Sequence, residues 1–178
     1  MLSVQETDGG EILDTKNSRA WALVDHQFSH VFVKDADEST IQNVRELFAD
    51  MEGVAEVLVG DERAKYGMDH ERSGEVILIS TSNSWQAYYY WLDDANAPDF
   101  ARTVDIHRKP GYDPVELFFD PASKGIPLDA TLVKGSHGAP VESSESEAVL
   151  LASDPILTDE LVRDVDVSRI VENLFHTD

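Results

Sequence analysis

The run EVILIS, Glu75–Ser80, sets four aliphatic side chains in succession between two polar residues. Successive side chains of a strand point to opposite faces. A strand that does not alternate has no face to offer to water, so this one is expected to be buried. The rest of the chain must supply its cover. WALVDHQFSHVFVK holds two short apolar runs, Trp21–Val24 and Val31–Val33, that suit strands. DADESTIQNVRELFADMEG reads as a helix, because Ile41, Val44, Leu47, Phe48 and Met51 recur at helical spacing on one face. Asp37 or Ser39 can cap its start, and Gly53 can end it. Val54–Val59 reads as a further strand. Residues 21–82 are thus expected to form a β-α-β-β unit, a small open-faced sandwich within an α/β protein.

Residues 1–20 are polar, carry a Gly-Gly turn and read as a leading segment. Residues 83–147 read as an irregular, site-bearing segment. It opens with the aromatics Trp85, Tyr88, Tyr89, Tyr90 and Trp91 and carries prolines at 110, 114, 121, 127 and 140. Such aromatics can stack a ligand, but packing in a core or interface is the commoner use. Residues 148–178 are expected to close the chain with a buried strand, Ala148–Ser153, and a helix over DVDVSRIVENLF. Asp166 can cap that helix, and Val167, Ile170, Val171 and Leu174 line one face. The length of 178 residues suits one domain, 1–178, or a fragment of a larger one.

Thirty-five acidic residues against 14 basic ones leave a net charge of −21. Such a surface repels nucleic acid and anionic membranes, so neither is expected as a partner. No apolar run approaches the roughly 20 residues that span a bilayer. The opening MLSVQETDGGEI lacks a basic region followed by an apolar core, so no signal peptide is expected and the expected compartment is the cytoplasm. Cysteine is absent, so any metal must be held by His, Asp and Glu.

Among the six histidines, His137 stands out, between two glycines in VKGSHGAP. Either the glycines only make a turn, or the backbone comes close to a ligand that the imidazole reaches. Asp25-His26 is an adjacent pair at a possible strand end, with His30 four residues on. Asp105-x-His107 places two side chains of an extended segment on one side. Imidazole with carboxylate suits zinc or manganese, although adjacent Asp and His are often joined only by a loop hydrogen bond. For His26 or His107 alone, a structural role outweighs ligation. His70 and His176 are assigned to the surface. No dinucleotide or phosphate-binding glycine loop, nucleophile elbow or calcium loop is present. Arg108–Gly111, RKPG, could hold an anion, but salt bridges to neighbouring acids are the commoner outcome.

ALVDHQFSHVFV, DHERSGEVILIS, YYYWLDDANAPDFARTVDIHRKPGYDPVELF and LVKGSHGAP together resemble the C-terminal portion of type I phosphodiesterase/nucleotide pyrophosphatase-like proteins of the alkaline phosphatase superfamily. AVLLASDP followed by VDVSRIVENLF is similar to that superfamily's last strand and helix. The resemblance implies an alkaline-phosphatase-like α/β fold and two-metal phosphoester hydrolysis, usually with zinc, by a Thr or Ser nucleophile. It implies that His137, in GSHG, is a late metal ligand, with Gly135 and Gly138 letting the backbone wrap the metal edge. Asp25 and His26 are further candidates, and His107 lies in a family-like stretch. The family's early metal-binding Asp and its nucleophile have no counterpart here. The resemblance therefore implies a fragment or truncated relative, inactive without an N-terminal half, that meets a phosphoester substrate only in the full-length context. A non-catalytic binding or interaction module is the alternative. A fragment would expose surfaces meant for its missing half, so self-association is expected.

Overall fold

The computed structural model describes residues 1–103, 118–157 and 161–175. The chain is a mixed α/β protein that divides into two compact units, Met1–Ala139 and Pro140–Asp178.

The first unit is built around a four-stranded sheet. Its strands are β3 (Ala20–Asp25), β4 (Phe28–Val33), β5 (Val54–Val59) and β6 (Val76–Ser80), in the order β3-β4-β6-β5, and every neighbouring pair is antiparallel. Helix α1 (Glu38–Phe48) joins β4 to β5. Those two strands run parallel to each other, with β6 filling the gap between them. The expected β-α-β-β unit therefore gains a strand. The two apolar runs at Trp21 and Val31 are separate strands because the chain reverses at His26-Gln27 and pairs Asp25 with Phe28.

All five residues of β6 are buried, as its non-alternating run required. Val76 and Leu78 face one core with Ala20, Val31, Val33 and Val44, against which Ile41 and Phe48 of α1 pack. Ile77 and Ile79 face a smaller core with Leu58, covered by Phe28, Tyr66 and Met68. Each fully buried aliphatic chain of this kind stabilises by roughly 1.5–3 kcal/mol, so the central strand anchors both faces.

Asp37 caps α1, its carboxylate accepting from the Thr40 amide at 2.9 Å and the Thr40 hydroxyl at 2.6 Å. The buried stripe is Thr40, Ile41, Val44 and Phe48, with Val44 2% exposed. Leu47 and Met51, expected on the same face, are 56% and 42% exposed. A stripe built on positions 40, 44 and 48 leaves Leu47 at its edge, and the helix ends at Phe48, so Met51 lies beyond it.

The leading segment is an antiparallel hairpin, β1 (Val4–Thr7) with β2 (Gly10–Leu13). Its turn presses on the segment after the aromatics: a side chain at Gly10, where φ is +94°, would run into the Ala97 carbonyl. The Tyr90 hydroxyl donates to the Glu11 carbonyl at 3.0 Å. The aromatic cluster is thus chiefly packing. Trp91 is 5% exposed, stacks on Tyr89 and meets Tyr88 and Tyr90 edge-on.

In the second unit, Ala148–Ser153 forms no strand and is exposed along its length. An apolar run becomes a strand only where a partner ladder takes its backbone groups, and none of the described residues provides one. Helix α2 (Val167–Asn173) does form, but Asp166 does not cap it. Its carboxylate is held by Arg163 at 2.7 Å and Arg169 at 3.1 Å. Leu161, Val165, Leu174 and Phe175 are exposed. Among the described residues no helix is long and apolar enough to cross a membrane.

Candidate functional site

Three of the four candidate ligands lie at one end of the first unit's sheet, where His26 meets His137 and Asp25 sits beside His26. Asp25 closes β3 and His26 opens the reversal into β4 with φ +56°. This left-handed conformation is uncommon for a residue with a side chain, although histidine adopts it more readily than most. The VKGSHGAP loop returns to this turn. The Gln27 amide donates to the His137 carbonyl at 3.0 Å. The His26 and His137 rings then meet edge to face with centroids 4.3 Å apart. Asp25 Oδ1 lies 4.0 Å from His26 Nε2. The His26 side chain is 16% exposed and that of Asp25 is 59% exposed, so the imidazole is largely covered while the carboxylate faces solvent. His107, the fourth candidate, lies outside the described residues, as do Asp105, Arg108–Gly111 and His176.

The two glycines of the loop are not equivalent. Gly138 has φ +105°, and a Cβ there would sit 3.1 Å from Phe28 Cδ1. Gly135 has no such φ, and a Cβ there meets nothing within 4 Å. Only Gly138 is needed to seat the loop on the β3–β4 turn.

The residue that assembles this end of the sheet is Gln27, which sequence reasoning passed over. It is 8% exposed. Its Nε2 donates to the Ser84 carbonyl at 3.0 Å and, more weakly, to that of Ser82 at 3.4 Å. Its Oε1 accepts from the Ala139 amide at 3.3 Å. One side chain thus ties the turn, the segment leaving β6 and the histidine loop. Gln86 works alongside. Its amide donates to the His26 carbonyl at 2.6 Å, its Oε1 accepts from Ser29 Oγ at 2.6 Å and its Nε2 donates to Ser80 Oγ at 3.0 Å. Ser29 and Ser80 are buried, and this amide satisfies both. In sequence the only signal was a glutamine in the turn between two apolar strands, a position where a solvated side chain is the norm.

His30 lies on β4 beside the site, with its ring between Phe28 and Phe32. Burial holds it below the usual histidine range, and Arg63 adds to that while Asp25 opposes it. Its Nδ1 accepts from the Gly74 amide at 3.2 Å, as a neutral imidazole does. That role is structural.

Beside the histidine pair, across Gln27, an open cleft of about 500 Å³ lies between Ser82–Trp85 and the Ala130–Ser136 stretch. Neither His26 nor His137 lines it. Among the described residues no group of three or more His, Asp or Glu is gathered closely enough to hold a metal ion. The arrangement offers two imidazoles and one solvent-exposed carboxylate, fewer donors than a closed tetrahedral zinc site needs. No protein-family model, curated protein or solved structure matches the chain.

Proposed function

We propose that His26 and His137, with Asp25 swinging in as a third donor, bind a single divalent cation. Zinc is the leading choice and manganese the alternative. The supporting observation is the 4.3 Å approach of two imidazoles from distant parts of the sequence, held by the Gln27–His137 backbone hydrogen bond. In this reading the chain is a fragment or truncated relative of a metal-dependent phosphodiesterase or nucleotide pyrophosphatase, of alkaline-phosphatase-like ancestry, and is inactive alone. The support lies in the site rather than the sheet, since every strand pair described is antiparallel. When bound, such an ion would polarise a phosphoryl oxygen and acidify a water. Hydrolysis also needs a nucleophile and further carboxylates, which the described residues do not gather here.

Calorimetric zinc titration tests this. We expect saturable uptake by the wild type, weaker than a structural zinc site, whose apparent binding energy is about 10–16 kcal/mol. Uptake should be lost in His137→Ala and in His26→Gly. The glycine suits the positive φ at position 26, so it removes the ring without straining the turn. A wild type that takes up no zinc or manganese overturns the metal reading.

The same proposal carries self-association, through the apolar side chains that the second unit leaves in water, such as Leu151 at 87% and Phe175 at 80% exposure. Light scattering should give a dimer or larger species, and a monodisperse monomer would count against it. The second reading is a non-catalytic binding module. It is favoured by the open cleft beside the histidines and by the fact that the described residues gather no third metal donor close to the two imidazoles.

A further inference from the structure

The cleft differs in charge from the rest of the molecule. The chain carries 35 Asp and Glu, yet not one of the residues lining this cleft is acidic, and Lys134 is among them. Asp129, the nearest acid in sequence, is occupied: its carboxylate accepts from the Thr131 hydroxyl at 2.6 Å and the Thr131 amide at 3.0 Å. Among the described residues Lys134 is in no ion pair and its ammonium makes no hydrogen bond; Asp129, held below the usual carboxylate range chiefly by its hydrogen bonds from Thr131, also feels the Lys134 charge.

The polar groups of the wall are mostly uncommitted donors. Ser136 Oγ is buried and has no hydrogen-bond partner among the described residues. Leaving such a group unmatched costs about 1–3 kcal/mol. The hydroxyls of Ser82 and Ser84 donate to no group among the described residues. Asn83 has its oxygen turned to the Thr81 hydroxyl at 2.8 Å, which leaves its amide nitrogen to donate. Hydroxyls, an amide N–H and one ammonium, on a wall that no acidic side chain lines, match an oxyanion. Trp85 supplies an apolar surface in the same wall. One lysine within a field of −21 favours a single negative charge over the several charges of a polyphosphate.

We infer that this cleft binds a small organic monoanion, a carboxylate seated on Lys134 and Ser136 with its carbon skeleton against Trp85. The inference goes beyond the metal reading and does not rest on it, since the imidazoles lie outside the cleft.

The test is calorimetric titration of the full chain with benzoate, acetate, benzyl alcohol and inorganic phosphate. Benzoate should bind saturably. Acetate lacks the ring and benzyl alcohol lacks the charge, so both should bind more weakly, and phosphate should bind more weakly than benzoate. Lys134→Met should weaken benzoate by about tenfold or more, the effect of losing a charge-assisted hydrogen bond. The lysine is exposed, so this variant keeps its fold, and Lys134→Arg should retain most of the affinity. Ser136→Ala should weaken benzoate severalfold. Chelator, His26→Gly and His137→Ala should leave benzoate binding unchanged, which separates this result from the fate of the metal site. The inference is overturned if wild type shows no saturable benzoate binding, if Lys134→Met binds as wild type does, if phosphate binds more tightly than benzoate, or if a histidine variant abolishes binding.

Discussion

Ile77→Ala is expected to destabilise the chain by about 2–5 kcal/mol, the range for truncating a buried aliphatic side chain. Ile77 is 0% exposed at the centre of β6, paired in register with His30 of β4 and Leu58 of β5. It forms a compact buried cluster with Leu58 and Ile79, covered by the half-buried Phe28, Tyr66 and Met68. Two flanking strands held in a hydrogen-bonded ladder cannot close over the missing atoms, so a cavity term adds to the lost transfer energy. Native domains are stable by only about 5–15 kcal/mol, so the variant should lose a large share of that. Urea denaturation should show a midpoint lower by roughly 1 to 3 M at unchanged slope. Leu47→Ala is the control: its side chain is 56% exposed on α1, and its effect should stay within about 0.5 kcal/mol. Equal midpoints for the two variants would mean that β6 is not the centre of the core.

Gln27→Ala should cost about 1–3 kcal/mol, because it leaves more than one partly buried backbone group without a partner. The Ala139 amide loses its acceptor and the Ser84 carbonyl loses its donor. The larger consequence is functional. The loop carrying His137 would be held to the turn by the Gln27–His137 backbone bond without its side-chain clasp. Hydrogen exchange at Ala139 should accelerate, and zinc uptake should fall with it. Gln27→Glu should be worse than alanine, since a carboxylate would face the carbonyls of Ser82 and Ser84 that now accept from the amide. A Gln27→Glu protein with wild-type stability and wild-type exchange at Ala139 would refute the clasp.

These two residues mark the boundary between what was legible and what was not. β6 could be read because burial on both faces leaves a local signature, four aliphatics in a row. The start of α1 could be read because a capping Asp acts within three residues, on Thr40. The histidine loop was singled out on its glycines, but of these only Gly138 is required, and it is required by Phe28, more than a hundred positions away in sequence. The apolar run Ala148–Ser153 had the composition of a buried strand and became neither buried nor a strand. Its side chains signal a need for cover and say nothing of whether a neighbour supplies it.

The amino-acid order by itself determined the elements whose causes are local: a cap, a helical stripe, a non-alternating strand, and the exclusion of thiolate chemistry. Only the tertiary structure decided that β6 inserts between β4 and β5, that His26 meets His137, and that a glutamine in a turn holds that end of the sheet together. The reason is one of range. Periodicity and capping act over a few residues along the chain, whereas strand order and the meeting of two imidazoles depend on which distant backbone groups find each other, and no short window of sequence encodes that.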